Sequence, residues 1–471
     1  MSGTLHSDVI IVGAGVAGLS AAVALSSAGA RVSLLERKPY IGGRAYSYLH
    51  PALDEVIDSQ HVVLGCCTQL VDLYRLSGAD QHLRWYDRIT FLEPATHTRA
   101  TRRSDIGPTA LPAPGHSAWS FLRAPMLMLT DKTRIALGLR EFLRGYPDDD
   151  SEPFSEWLAR TKQTERAIRH FWEPVIVGAL NDSFERCSTR YAGQVFHESF
   201  LKSAAGGRLG IPTQPLSEFY SAVAQLAERQ GTALYLRSSV ERIDSLPAGG
   251  WQVSTSDGSQ HQADKLALAL PFEQTRTLLQ QLPQDNPART SIEPSLAHFI
   301  HAPITTIHLW FDRAITELDH AALLDTRIQW VFNKTLIRRD EPRAEQGQYL
   351  ELVISASFAE LHQTREQILS AAIAELARFF PEVHQASILK SGVLKEARAT
   401  FSVIPGLDHY RPGQTDLGGG LHLAGDWTKT GWPSTMEGAA RSGRLAAQAI
   451  MPGQVFLSTD LPASGLMRWM L

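Results

Sequence analysis

The residues of this chain best suited to chemistry are three glycines spaced as Gly13-x-Gly15-x-x-Gly18, an acid at Glu36, and the turn Gly42-Gly43-Arg44. Together they describe an anion site. Gly13 permits a tight turn, Gly15 lets the backbone approach a pyrophosphate, and Gly18 lets a helix pack closely on a strand. The helix that follows presents unpaired N–H groups and about half a positive charge to bridging phosphates. Ala14 and Ala17 belong to the same turn. Glu36 lies 18 residues beyond Gly18, where its carboxylate can accept both hydroxyls of a ribose, with Arg37 beside it. Arg44 adds a guanidinium that can chelate phosphate oxygens.

The elements that must hold these residues are legible nearby. The run Val9-Ile10-Ile11-Val12 is β-branched and apolar, so it reads as a buried parallel strand stopping at Gly13. A helix over 17–28 ends at Gly29, and a second strand over 31–35 ends on Glu36. Far along the chain, Leu421-His422-Leu423-Ala424 reads as another buried strand ending in Gly425-Asp426. Thr435, Met436 and Glu437 then open a helix of small residues whose N-terminus can face a polar group of a ligand.

Between these ends the pattern is mixed. Residues 58–67, with Gln60 and His61 beside an apolar run, return toward the first site, and one of the two polar side chains must find a buried partner. His61 read alone fits a satisfied core histidine as well as a functional one. Residues 101–118 read as a loop, 154–179 as helix with Pro174 disrupting it, and 215–229 as helix. Short strands are expected over 233–236, 240–243, 251–255 and 265–270. A proline-rich linker over 281–303 precedes strands at 305–311, 329–332 and 349–355 and a helix over 361–380. The segment 118–129 is rich in Trp, Phe and Met, and 131–144 carries Lys132, Arg134, Arg140 and Arg144. It fits either a helix lying in a bilayer interface or a lid packed on its own domain.

Composition sets limits. With 471 residues, 44% of them hydrophobic and 20% charged, the chain has material for large cores, and a net charge of -4 gives no case for nucleic acid as a partner. Cys66, Cys67 and Cys187 form no metal-binding spacing, so no metal is expected, and reduced thiols are favoured over a vicinal disulfide. The first strand begins by Asp8 and no 18-residue apolar run exists, which points to a cytoplasmic protein without a membrane span.

The Gly-Gly-Arg turn after the acid resembles the FAD-binding segment of the amine oxidase and phytoene desaturase superfamily. Further stretches resemble one branch: Gln60-His61-Val62, Phe171-Trp172-Glu173-Pro174 through Asn181, Ala399-Thr400-Phe401, Gly425-Asp426-Trp427-Thr428 and Thr430 through Gly438. On these the chain is similar to the squalene-associated FAD-dependent desaturases, the hydroxysqualene dehydroxylases. Ser59 stands where that branch has glycine.

The resemblance implies an α/β fold: a Rossmann-like FAD-binding domain of the amine oxidase and GDP dissociation inhibitor type, with an interleaved α+β substrate domain. The first would comprise 1–84, 196–285 and 396–471, and the second 85–195 and 286–395 with a helical lid. FAD would be held noncovalently, since 429–435 lacks cysteine. The contacts would come from Gly13, Ala14, Gly15, Ala17, Gly18, Glu36, Arg37, Gly42, Gly43, Arg44, Gln60 and His61, then from Val240, Gly425, Asp426, Thr435, Met436 and Glu437. The implied reaction is reductive dehydroxylation of hydroxysqualene to squalene in hopanoid biosynthesis. His61 is the first candidate for the acid and Tyr349 the second. The implied partners are a long apolar isoprenoid, an external electron donor (NAD(P)H or a reductase) and other squalene-pathway enzymes, with peripheral attachment to the inner membrane face. Two alternatives stay open: an oxidative FAD-dependent desaturase of a C30 or carotenoid precursor, and a flavin-free isoprenoid-binding protein of the GDP dissociation inhibitor type.

Overall fold

In the computed structural model, residues 5–339 and 347–471 are described. The four apolar residues before Gly13 end strand β1 (Leu5–Val12), and all four are buried. They are apolar without alternation because both faces of the strand are covered. Val9 and Ile11 pack in the cluster that contains helix α1 (Val16–Ser27), whereas Ile10 and Val12 join a second cluster. Strand β2 (Val32–Leu35) runs parallel to β1, and Thr232–Tyr235 runs parallel to β2. On the other side of β1 lies Gln260–Leu268, parallel to both β1 and the short strand Leu421–Leu423. The antiparallel strands Trp251–Thr255 and Val240–Ser245 complete this sheet. The helix Met436–Ile450 packs on α1 through Gly443, where a Cβ would lie 2.2 Å from the Ala17 carbonyl oxygen.

A second sheet is ordered Ile388–Phe401, His301–Phe311, Gln348–Ser355, Trp330–Asn333, His320–Leu323, Ile89–Glu93, Arg102–Ile106. Its pairs are antiparallel except that between His320–Leu323 and Ile89–Glu93. Leu309, Leu350, Leu352 and Ile354 pack beneath the helix Arg365–Ala377, so alternation turns Ile304, His308, Tyr349 and Glu351 to the opposite face.

Several expectations need correction. The segment 101–118 is not all loop, because Arg102–Ile106 pairs with Ile89–Glu93. The single helix over 154–179 is broken into Phe154–Arg160 and a second run made of Glu165–Ala167, the π-helical Ile168–Trp172 and Glu173–Leu180. Pro174 sits inside this continuous helical run 165–180, directly after its π-helical turn, where its missing N–H interrupts the α-helical ladder without ending the helix. The long strand Ile388–Phe401 was not expected, because Lys390, Lys395, Glu396 and Arg398 break any apolar run at this sheet edge. All three cysteines are free.

Candidate active site

A cavity of about 690 Å³ is lined from both sheets. At one end it meets the start of α1. Gly15 caps this helix without a side-chain hydrogen bond, no acid lies in the first turn, and Val16, Ala17 and Gly18 are buried. A buried helix N-terminus with no capping group offers unpaired N–H donors that can hold an anion. A Cβ on Gly18 would stand 1.9 Å from the Gly13 carbonyl oxygen, so only glycine lets the helix cross the turn this closely. Gly43, at φ +68°, brings its backbone against Gly15, and the Gly42 N–H donates to Ala14 O at 2.9 Å. These two turns make one continuous backbone cradle.

Glu36 is buried at the end of β2. Its Oε2 accepts from the Ala14 N–H and its Oε1 from the Lys38 N–H, both at 2.9 Å. Each oxygen keeps a second lone pair, so the carboxylate is aimed and still able to accept from a ligand. The Ser238 N–H donates to the Glu36 carbonyl, which brings Ser239 and Val240 to this end of the cavity, while the exposed Arg37 stands at its mouth.

The other end gathers residues from distant parts of the chain. Asp426 follows Leu421–Leu423 and accepts from Arg44 Nη2 and from Ser434 Oγ, each at 2.6 Å. Thr435 caps the helix Met436–Ile450 by accepting from the Gly438 N–H at 3.1 Å, and Met436 lines the cavity. Gln60 and His61 reach the wall from the loop after Glu55–Asp58. Asn181 takes a left-handed conformation at the end of Glu173–Leu180 and ties Ala302, Thr400 and Ala356 together beside them.

Four candidates do not line the cavity: Ala14, whose N–H goes to Glu36, Gly18, packed on the Gly13 carbonyl, Glu437 and Tyr349. The Glu437 carboxylate accepts from the N–H groups of Gln69 and Leu70 and from Arg441, capping the helix Thr68–Ser77 instead of facing a ligand. Tyr349 lies on the cavity-facing side of its sheet but does not line the cavity; it stands two residues from Glu351, which accepts the N–H of the lining residue Gln60. Its hydroxyl pairs with His308 Nδ1 at 2.8 Å and its ring stacks on Trp310. Lys334, which sequence reading missed, contacts the Gln60 side chain. A lysine after an apolar strand reads as an exposed end, and nothing in its neighbours signals burial.

His61 is held in one tautomer. Its Nδ1 lies 2.6 Å from the Ser59 carbonyl, which can only accept, so Nδ1 carries the proton and Nε2 of the neutral ring is an acceptor. Burial holds its pKa below the usual imidazole value, against smaller opposing effects of the Ser59 hydrogen bond and of Asp58.

The family model described as flavin containing amine oxidoreductase matches residues 16–451, nearly the whole span between these two ends. The chain belongs to the flavin-containing amine oxidoreductase family. Among relatives, the zeta-carotene desaturase of Synechocystis sp. is 26% identical over 97% of this chain and 99% of its own length. The 15-cis-phytoene desaturase of Glycine max is also 26% identical, over 96% of this chain and 80% of its own. Wild-type putrescine oxidase bound to putrescine shares the fold with a TM-score of 0.73 at 17% identity, over 95% of this chain and 100% of that one. As in other members of the flavin-containing amine oxidoreductases, the cofactor is FAD, and the uncapped α1 N-terminus, the glycine cradle and the aimed Glu36 carboxylate fit it.

Proposed function

We propose that this flavin-containing amine oxidoreductase removes the hydroxyl group of hydroxysqualene to give squalene. One observation carries the reading: the residues of the branch-specific resemblance, scattered over 60–62, 178–181, 399–400 and 434–436, converge on one cavity. The division into an FAD-binding and a substrate domain is supported by the two sheets meeting there. Glu36 holds the adenosine ribose, the N-terminus of α1 the pyrophosphate, and Asp426 and Thr435 the flavin end, with no covalent bond.

When bound and reduced, FAD supplies the hydride that replaces the hydroxyl. The allylic C–O bond breaks, a C–H bond forms, and the oxygen leaves as water once protonated. The apolar side chains of Ile304 and Leu394 exclude bulk water from the allylic cation. His61 faces the departing oxygen, and a proton must reach its Nε2 before it can donate one. Two electrons per turnover come from NAD(P)H or a separate reductase. Anaerobic incubation with reduced FAD and hydroxysqualene is expected to yield squalene by mass spectrometry; recovery of unchanged substrate from FAD-loaded protein would defeat this reading.

The second reading, an oxidative desaturase acting on a C30 or carotenoid precursor, is favoured by the names of the two desaturase relatives and by the neutral His61 tautomer, which accepts a proton more readily than it gives one. Either substrate is a long apolar isoprenoid that must be taken from a lipid phase. No described helix is long and apolar enough to cross a membrane. Around the helices Ala118–Arg123 and Leu129–Leu139, however, Trp119, Leu122, Met128 and Leu129 are all more than half exposed, beside Arg123 and Lys132. The C-terminal turn Gly465–Trp469 hangs from Ala113 through the Leu466 N–H and exposes Trp469. We therefore expect the protein to float with anionic liposomes at low salt and to be released as salt is raised. Protein that stays at the bottom of the gradient at low salt would rule out this face as a membrane contact.

A further inference from the structure

Behind the Gln60–His61 loop lies a group of buried charges that the chemistry above does not use. Lys334 Nζ is 2.7 Å from Gln60 Oε1, 3.0 Å from Asp58 Oδ1 and 3.1 Å from Glu351 Oε2. Arg338 Nη2 holds the other Asp58 oxygen at 3.0 Å, which also accepts from Ser47 Oγ. Glu351 Oε1 accepts the Gln60 backbone N–H at 2.6 Å, so both ends of Gln60 are gripped from the same cluster. The Gln60 amide then donates to the His61 carbonyl at 2.8 Å. Buried ion pairs are weak devices for stability, since well-packed apolar residues of similar volume often do as well. Their place directly beneath a cavity-lining loop therefore asks for another use.

We propose that Lys334 is a positioning residue for bound flavin: it clamps Gln60, and through it the His61 loop, and its charge raises the flavin reduction potential. The geometry supports this. Lys334 touches Gln60 directly, and burial pushes Glu351 up to about 7, so that near neutral pH the carboxylate 3.1 Å from the Lys334 charge is only partly ionised. The other titratable groups facing Glu351 stay uncharged. His308, opposite it in the strand pairing, is pushed down to about 3, burial raises Tyr349 well above the usual phenol range, and burial lowers His61. A positive charge favours the reduced flavin, which can bear a negative charge.

The test uses the full-length FAD-loaded protein and equilibrium with a reference dye, and needs no substrate. At about pH 8.5, where Glu351 is ionised, Lys334→Met is expected to shift the ratio of oxidised to reduced flavin at least tenfold toward oxidised, equivalent to about 30 mV for a two-electron couple. Lys334→Arg keeps the charge and should stay near the parent. Glu351→Gln keeps the shape and an acceptor for the Gln60 N–H, and should shift the ratio the opposite way. That shift should vanish at about pH 5.5, where Glu351 is already protonated. Opposite signs for the two variants support the proposal, because a purely structural role would move them together. An unchanged potential in Lys334→Met, or in Glu351→Gln at the higher pH, overturns it. Should Lys334→Met fail to load FAD, the sign and pH dependence of Glu351→Gln still decide.

Discussion

His61→Ala, folded and loaded with FAD, is expected to turn over about 10²–10⁴-fold more slowly than the parent, the usual contribution of one positioned proton-transfer group. The parent's pH profile says which way the proton moves. Since burial lowers the His61 pKa, the ring is neutral at pH 7 and charges only in more acidic solution. If His61 protonates the leaving hydroxyl, the chemical step quickens as the pH falls through that lowered pKa. If it accepts a proton, as an oxidative desaturase would require, the step is steady above the pKa and lost below it. Either limb should be absent from His61→Ala. Single-turnover reoxidation of the reduced flavin by hydroxysqualene measures the first case, and anaerobic flavin reduction by a polyene precursor the second. A rate equal to the parent's in an FAD-loaded variant would leave His61 a core residue bonded to Ser59.

Glu36→Ala is expected to weaken FAD binding by about 1.5–3 kcal/mol, roughly 10- to 150-fold in Kd, the scale of hydrogen bonds made by a charged acceptor. The carboxylate also accepts from the N–H groups of Ala14 and Lys38, so its removal loosens the turn over which α1 begins. Glu36→Gln keeps an acceptor for one of these and should fall between the parent and Ala. Equilibrium dialysis of the apoprotein against FAD measures both. Parental affinity in Glu36→Ala would mean that the ribose is held elsewhere.

The βαβ start and the Gly425-Asp426 closure were legible because Gly13, Gly18 and Gly425 answer local steric demands that no other residue meets, as at Gly18 against the Gly13 carbonyl. Tyr349 shows where such reading stops: strand alternation can assign it to the correct face, but its distance along the strand from the cavity depends on the register of His301–Phe311 with Gln348–Ser355. Glu437 sits at a helix N-terminus as expected, yet a neighbouring helix N-terminus, that of Thr68–Ser77, takes its carboxylate. Lys334, Asp58 and Glu351 come from three separated segments, and each alone reads as a surface charge. Their burial is a property of the assembled sheets.

The contact of Gly443 with the Ala17 carbonyl joins residues more than 400 positions apart. At the usual 5–20 residues per second, a ribosome takes roughly 20–80 s to pass from one to the other. During that interval the apolar surface of α1 has no partner from Met436–Ile450, and Asp426 is not yet present to meet Arg44. Capture of the nucleotide therefore belongs to the end of biogenesis. A nascent chain arrested before residue 421 should remain a client of chaperones however much FAD the cell provides.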